Sequence, residues 1–299
     1  MVPKYSYYSY EMHCRQTPIT FPPQQQDVQP GLETLMYPAP IFDNPDYKGS
    51  GKLSGKIAII TGGDSGIGRA VAIGFAKEGA DATIVYLYER EDAEATKQLM
   101  EQYGRHCLLI EGDLRNPALS AEVVRRTLEC YGKIDVLVLN QGVSFWQESI
   151  RNISGEQLDD TFRTNIFPHF YMTQAALPYL QPGSSIVSTA SVTAYTGYPA
   201  LVDYSATKGA VVSFTRSLAL QLVDKGIRVN AVAPGPLWTP IIVSGFPVEQ
   251  VKTFGLQAPM QRAAQPFELA PTYIYLASDD SSFVTGQVIH VNGGIMSDS

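Results

Sequence analysis

The chain has 299 residues, long enough for one large α/β domain with a sizeable core, and its 44% hydrophobic share is ordinary for a soluble globule. A net charge of −7 gives no electrostatic footprint for nucleic acid. No run of about eighteen apolar residues occurs, and Met1 to Arg15 lacks the apolar core of a signal peptide, so the expectation is a cytoplasmic protein with no membrane span.

Residues 1–52 differ from the rest. Their first fifty positions hold eight prolines and six tyrosines, with no period of 2 or 3.6 residues. Such a segment cannot bury a core of its own. It reads as an extended arm on its own or a neighbouring subunit, or as a disordered tail. The arm is favoured, because the tyrosines and Ile41-Phe42 offer apolar anchors.

Residues 53–299 alternate in pattern. Strands are predicted over 56–60, 82–87, 106–110, 134–139, 184–188, 227–232 and 287–291, and helices over 67–79, 91–103, 117–131, 155–180, 203–225 and 266–277. Alternation of this kind builds a three-layer, doubly wound α/β Rossmann fold: a seven-stranded parallel sheet covered on both faces through right-handed crossovers. Ligands then sit beyond the C-terminal strand ends.

The first strand, Lys56-Ile57-Ala58-Ile59-Ile60, runs into Thr61-Gly62-Gly63-Asp64-Ser65-Gly66-Ile67-Gly68 and then a helix. Strand, glycine-rich turn and helix form the opening unit of a dinucleotide fold, in which the pyrophosphate rests on the helix N-terminus. The spacing is G-x-x-x-G-x-G rather than the commoner G-x-G-x-x-G. Later in the chain, Tyr204 and Lys208 lie four apart on a predicted helix and share a face, with Ser191 thirteen residues upstream. A phenol titrates near pKa ~10, so use near neutrality needs a drop of roughly three units, or about 4 kcal/mol. One positive charge ~4 Å away at an effective dielectric of ~20 supplies about that much.

These segments together resemble the short-chain dehydrogenase/reductase family over roughly residues 53 to 294. The carrying motifs are Thr61 to Gly68, Asp113-Leu114, Asn140-x-Gly142, Asn165, Ser191, Tyr204-x-x-x-Lys208, and Pro234-Gly235 with Thr239. The wording of D-S-G-I-G-R-A, S-V-T-A-Y and S-A-T-K-G-A is similar to a bacterial subgroup of oxidoreductases and general stress proteins. The resemblance implies an NAD(P)-dependent enzyme interconverting an alcohol and a ketone. In it Tyr204 is general acid or base, Lys208 lowers the tyrosine's pKa and holds the nicotinamide ribose, Ser191 polarises the carbonyl, and Asn165 holds a relay water. It also implies dinucleotide contacts at Gly62, Asp64, Ser65, Gly66, Ile67, Gly68, Tyr86, Asp113, Leu114, Asn140, Gly142, Tyr204, Lys208, Pro234, Gly235, Leu237 and Thr239. A homotetramer with a small-molecule substrate is implied as well.

Two departures stand out. The family's N-N-A-G loop reads Leu139-Asn140-Gln141-Gly142 here. Gln141 is expected to point away, to crowd the cofactor, or to add a hydrogen bond. The positions that select the cofactor, Ser65, Tyr86 and Leu87, are neutral, and Arg90 is flanked by Glu89 and Glu91. A 2′-phosphate needs a cation, so NAD is favoured and NADP stays open.

The segment from Pro236 to Arg262 is expected to form a lid. Trp238, Phe246, Phe254 and Met260 in it, with Phe145, Trp146, Tyr195 and Tyr198, suggest an apolar mouth for a bulky ketone; lid packing and a sugar or polyol substrate are the alternatives. Cys14, Cys107 and Cys130 give no disulfide framework, and His13, His106, His169 and His290 have no metal-ligand spacing. Two other functions are weighed. A catalytically silent dinucleotide-binding regulator has no physical need of an intact Ser191, Tyr204, Lys208 and Asn165. A lyase or epimerase needs a larger C-terminal domain.

Overall fold

The computed structural model describes residues 17–295. Strands β1 (Ile57–Thr61) and β2 (Asp81–Tyr86) are apolar, β-branched runs buried on both faces, as a covered parallel sheet requires. Helix α1 (Gly66–Lys77) joins them. Helix α2 (Arg90–Gln102), β3 (Cys107–Glu111), α3 (Pro117–Tyr131) and β4 (Val136–Leu139) complete the first half. The ends of α3 are written locally. Asn116 accepts from the Ala118 N–H at 3.1 Å ahead of Pro117, and Gly132 (φ 78°) closes the last turn.

The second half holds α4 (Gly155–Asn165), α5 (Phe167–Ala176), β5 (Ser185–Thr189), the one-turn α6 (Thr193–Thr196), α7 (Val202–Leu222) and β6 (Arg228–Pro234). It ends with α8 (Pro240–Gly245), α9 (Val248–Lys252), α10 (Ala270–Ala277) and β7 (Val288–Val291). All seven strands are parallel, in the order β3-β2-β1-β4-β5-β6-β7. The winding reverses between β1 and β4, where Ile59 pairs with Leu137. Successive side chains of a strand point to opposite faces. Ile60 therefore joins the layer of Val71, Phe75 and Ile274 from α1 and α10, while Ile59 joins that of Val123, Met172 and Leu218 from α3, α5 and α7.

The single helix predicted over 155–180 is two helices. The break falls at Ile166 (φ −127°), two residues before Pro168, which has no N–H to offer the Thr164 carbonyl. The Gln141 side-chain amide reaches that carbonyl instead, at 3.4 Å. The helix predicted over 266–277 likewise opens as a short 3-10 turn, Pro266–Glu268, before α10.

Residues 17–52 contain no strand and one 3-10 turn, Glu33–Leu35. They run over the α8–α9 region. Phe21 stacks on Trp238 with ring centroids 3.7 Å apart and planes 8° from parallel. The Trp238 indole donates to the Pro38 carbonyl at 2.9 Å. The part of the arm before residue 17, with Cys14 and His13, lies outside the described residues. Among the described residues no helix is long and apolar enough to cross a membrane, and no cluster of potential metal ligands occurs.

Candidate active site

The glycine turn between β1 and α1 has the backbone its sequence requires. Gly62 (φ 57°) and Gly66 (φ 49°) are left-handed, and a Cβ on Gly68 would stand 1.8 Å from the Gly62 carbonyl oxygen. The turn opens onto a cleft at the winding reversal. The cleft is lined by Gly62, Asp64, Ser65, Gly66, Ile67, Tyr86, Asp113, Leu114, Asn140, Gly142, Tyr204, Lys208 and Thr239 of the predicted residues. Gly68, Pro234, Gly235, Leu237, Asn165 and Ser191 stand behind or beside this lining. Pro234 ends β6, and Leu237 lies in the core. A Cβ on Gly235 would meet Asn292 at 2.6 Å.

The cleft fits a dinucleotide. Side chains at Gly62 and Gly66 would stand 3.1 Å from Gln141 and Thr239, and both residues have a positive φ, so glycine is favoured at the two turns of the cleft floor. The α1 N-terminus supplies a positive dipole end for phosphate, and the amides it can offer are those that follow Gly66, whose own N–H is held by Glu33.

Tyr204, Lys208 and Ser191 come together at one end of the cleft. Lys208 is buried and donates to the Thr189 carbonyl at 2.9 Å, with its Nζ 5.5 Å from the centre of the Tyr204 ring. Burial pushes the lysine down to about 8. Burial pushes Tyr204 up to about 12, and its hydrogen bond with Ser191 opposes part of that rise. The lowered tyrosine pKa expected from Lys208 is therefore not found in the free chain, where burial sets the direction of the shift. Ser191 accepts from the Thr193 N–H at 3.2 Å and lies in a hydrogen bond with the Thr193 hydroxyl at 3.1 Å.

Asn165, the last residue of α4, clasps the loop beyond β4. Its Oδ1 accepts from the Val143 N–H at 2.8 Å and its Nδ2 donates to the Val143 carbonyl at 2.9 Å. Asn140 ties the two halves together, donating to Gly62 O at 3.0 Å and accepting from the Thr189 hydroxyl at 2.9 Å. Thr189 also bonds the Tyr273 hydroxyl at 2.7 Å.

The opposite end of the cleft is acidic. Asp64 and Glu89 are buried there, and burial first, then the Glu89 charge, pushes Asp64 up to about 7. Glu89 accepts from the amides of Leu87 at 3.0 Å and Tyr88 at 2.8 Å. The nearby cations are engaged. Arg69 pairs with Glu33 and Asp92, Arg90 with Glu111, and Arg115 with Asp113 and Asp160. Burial raises the Asp113 carboxyl, but the hydrogen bonds from Arg115 outweigh it and hold the group below the usual aspartate range.

Residues 62–296 match the family model described as enoyl-(acyl carrier protein) reductase. The chain is 59% identical over 272 residues to the uncharacterized oxidoreductase YhdF of Bacillus subtilis (strain 168), covering 91% of this chain and 94% of that one. It is 53% identical to general stress protein 39 of the same organism, covering 93% and 97%. A glucose and ribitol dehydrogenase of Daucus carota is 48% identical, covering 92% and 96%. A crystal structure of a short chain dehydrogenase from Burkholderia cenocepacia J2315 in complex with NADP superposes with a TM-score of 0.76 at 30% identity, covering 81% of this chain and 98% of that one. The chain belongs to the short-chain dehydrogenase/reductase family.

In this dehydrogenase/reductase Gln141 turns inward. It accepts from the Thr61 hydroxyl and lies 3.4 Å from Nδ1 of His169, a histidine that burial pushes down to about 3. Most of the predicted aromatic mouth is packing. Trp238, Phe246 and Phe254 are buried in a cluster with Phe21 and Met36 of the arm, Met260 is exposed, and Tyr195 packs on His290. None of these lines the cleft; Trp146 and Tyr198, half-buried, pack in the same cluster as Tyr204.

Sequence reasoning missed the contribution of the arm. Gln29, Pro30 and Gly31 line the cleft opposite Pro240, Ile241 and Ser244. Glu33 accepts from the Gly66 N–H, the first residue of α1, at 2.6 Å. One signal was present: Glu33 is the only charged residue between Asp27 and Asp43, an isolated carboxylate in an apolar, proline-rich stretch.

Proposed function

We propose that the chain is an NAD(P)-dependent oxidoreductase that interconverts a secondary alcohol and a ketone, with Tyr204 as general acid and base. The observation that carries this reading is the pairing of Tyr204 with buried Lys208, whose Nζ lies 5.5 Å from the centre of the phenol ring, at one end of a cleft whose other end is a glycine turn. The dinucleotide supplies or accepts the hydride. The chain's own residues handle the proton. Tyr204 stays a neutral phenol over the ordinary pH range, so its hydroxyl can donate to a carbonyl oxygen in reduction and recover a proton through Lys208. Ser191 holds that oxygen in place, and Asn165 fixes the loop that carries Gly142.

Glycine-turn amides would hold the pyrophosphate, and Tyr86 and Leu87 would flank the adenosine ribose at the end of β2. Two buried carboxylates and the pairing of Arg69 and Arg90 favour NAD over NADP, since a 2′-phosphate would add negative charge beside Asp64 and Glu89. Withdrawal of the lid aromatics into packing supports a sugar or polyol substrate over a bulky apolar ketone. The name of the carrot relative supports the same choice.

The test is oxidation of NADH and NADPH, followed by absorbance, against aldoses, ketoses and bulky ketones, with polyols in the reverse direction. Tyr204→Phe should bind the dinucleotide as the parent does and lose activity by roughly 10²-fold or more, the scale of a general acid. Unchanged turnover in that variant would remove Tyr204 from the chemistry.

A further inference from the structure

We propose that residues 29–33 of the N-terminal arm form a strap across the dinucleotide cleft and are themselves part of the cofactor site. This rests on reading the cleft as a dinucleotide site. The strap is tied down on three sides.

On the lid side, Gln29 accepts from the Ser144 N–H at 3.0 Å and donates to the Ser144 carbonyl and to the Ser244 carbonyl, the latter at 3.2 Å. On the β2 side, the Tyr88 hydroxyl donates to the Pro30 carbonyl. Below, Glu33 accepts from the Gly66 amide at 2.6 Å and pairs with Arg69, while its own N–H donates to Asp92 at 2.7 Å.

The chain thus passes from the Ser144 and Ser244 side, beneath Tyr88 beyond β2, and past Pro240 to the glycine turn and α2, and Gln29, Pro30 and Gly31 face the cleft along the way. Close approach is built in. A Cβ on Gly31 would stand 2.8 Å from the Pro240 carbonyl oxygen, so the backbone lies hard against the lid. Glu33 spends a buried carboxylate on the helix N-terminus, where an anion is favoured. That contact sets the position of Gly66 and, through it, the amides that follow in α1. A merely structural tether has no need to face the cleft or to bond its floor. A strap that borders the ligand does, and it should slow the ligand's departure.

The experiment measures NADH and NADPH binding by fluorescence titration, and dissociation by stopped-flow displacement. It uses the full-length parent, Gln29→Ala, Tyr88→Phe and the double variant. Gln29→Ala releases the lid side and Tyr88→Phe the β2 side, and neither touches the Glu33–Arg69 pair, so the fold should persist, which circular dichroism checks. The expected result is a Kd raised about fivefold or more in the double variant, the scale of lost hydrogen bonds. The dissociation rate should rise in step. A parent that binds dinucleotide, with variants matching its Kd and dissociation rate, would overturn the strap alone. A parent that binds neither dinucleotide would overturn the strap together with the reading of the cleft.

Discussion

Charge at the two ends of the cleft is set by how little water reaches it. At the Tyr204 end, burial holds the phenol neutral and brings Lys208 down to about 8. At the other end, burial and then the Glu89 charge bring Asp64 up to about 7. The sign of the second effect is testable. A carboxyl whose folded pKa lies above its unfolded value of ~3.9 favours the folded state while protonated. Its contribution is complete below about pH 4 and is lost as pH rises through 7. Asp64→Asn, which cannot ionise, should therefore lose less stability than the parent between pH 5 and pH 8. Urea midpoints of both proteins at the two pH values read this directly, and identical slopes would sink the assignment.

Among the elements, the lid owes its place to the arm. Helices α8 and α9 are short, six and five residues, and neither could hold a fixed position alone. Their apolar faces close on Trp238, which is sandwiched with Phe21. Phe21→Ala removes most of that buried ring, and the expected cost is about 3 kcal/mol, the lower end for such truncations. Urea unfolding measures it, and limited proteolysis should begin within residues 240–254. A variant as stable and as resistant as the parent would show that the lid holds itself.

The alternation of strands and helices was legible because period and turn chemistry are local. The glycine turn, Ser191 and the Tyr204–Lys208 spacing were legible for the same reason. The break before Pro168 was less so, since apolar residues continue across it and a proline near a helix start is ordinary. The arm's role was out of reach of periodicity. Its contacts join Gln29 to Ser244 and Ile41 to Gln265, across 215 and 224 positions, and no local pattern records such a pairing. The direction of the tyrosine shift was also out of reach, because it depends on burial, which spacing along a helix does not record.

Across the whole molecule, one edge of the sheet is left half-covered. All four residues of β7 are half-buried, and Phe283 just before it is fully exposed. Leu158, Phe170 and Leu220 add exposed apolar area on α4, α5 and α7. An uncovered edge and apolar helix faces are features that oligomers bury. We predict a homotetramer, to be read as a sedimentation mass of four chains. A single 32.7 kDa species at micromolar concentration would contradict it.

The long reach of the arm also bears on the order of synthesis. A ribosome releases the N-terminus first, yet Gln29 finds Ser144 and Ser244, and Trp238 meets Pro38, only after most of the chain has emerged. Strands β1 and β2 can pair early, because Ile57 and Asp81 are close in sequence. The arm is thus made before its partners and is among the last segments to dock. Until it does, the nascent chain carries a tether of prolines and tyrosines that must stay out of wrong partnerships while the rest of the sheet assembles.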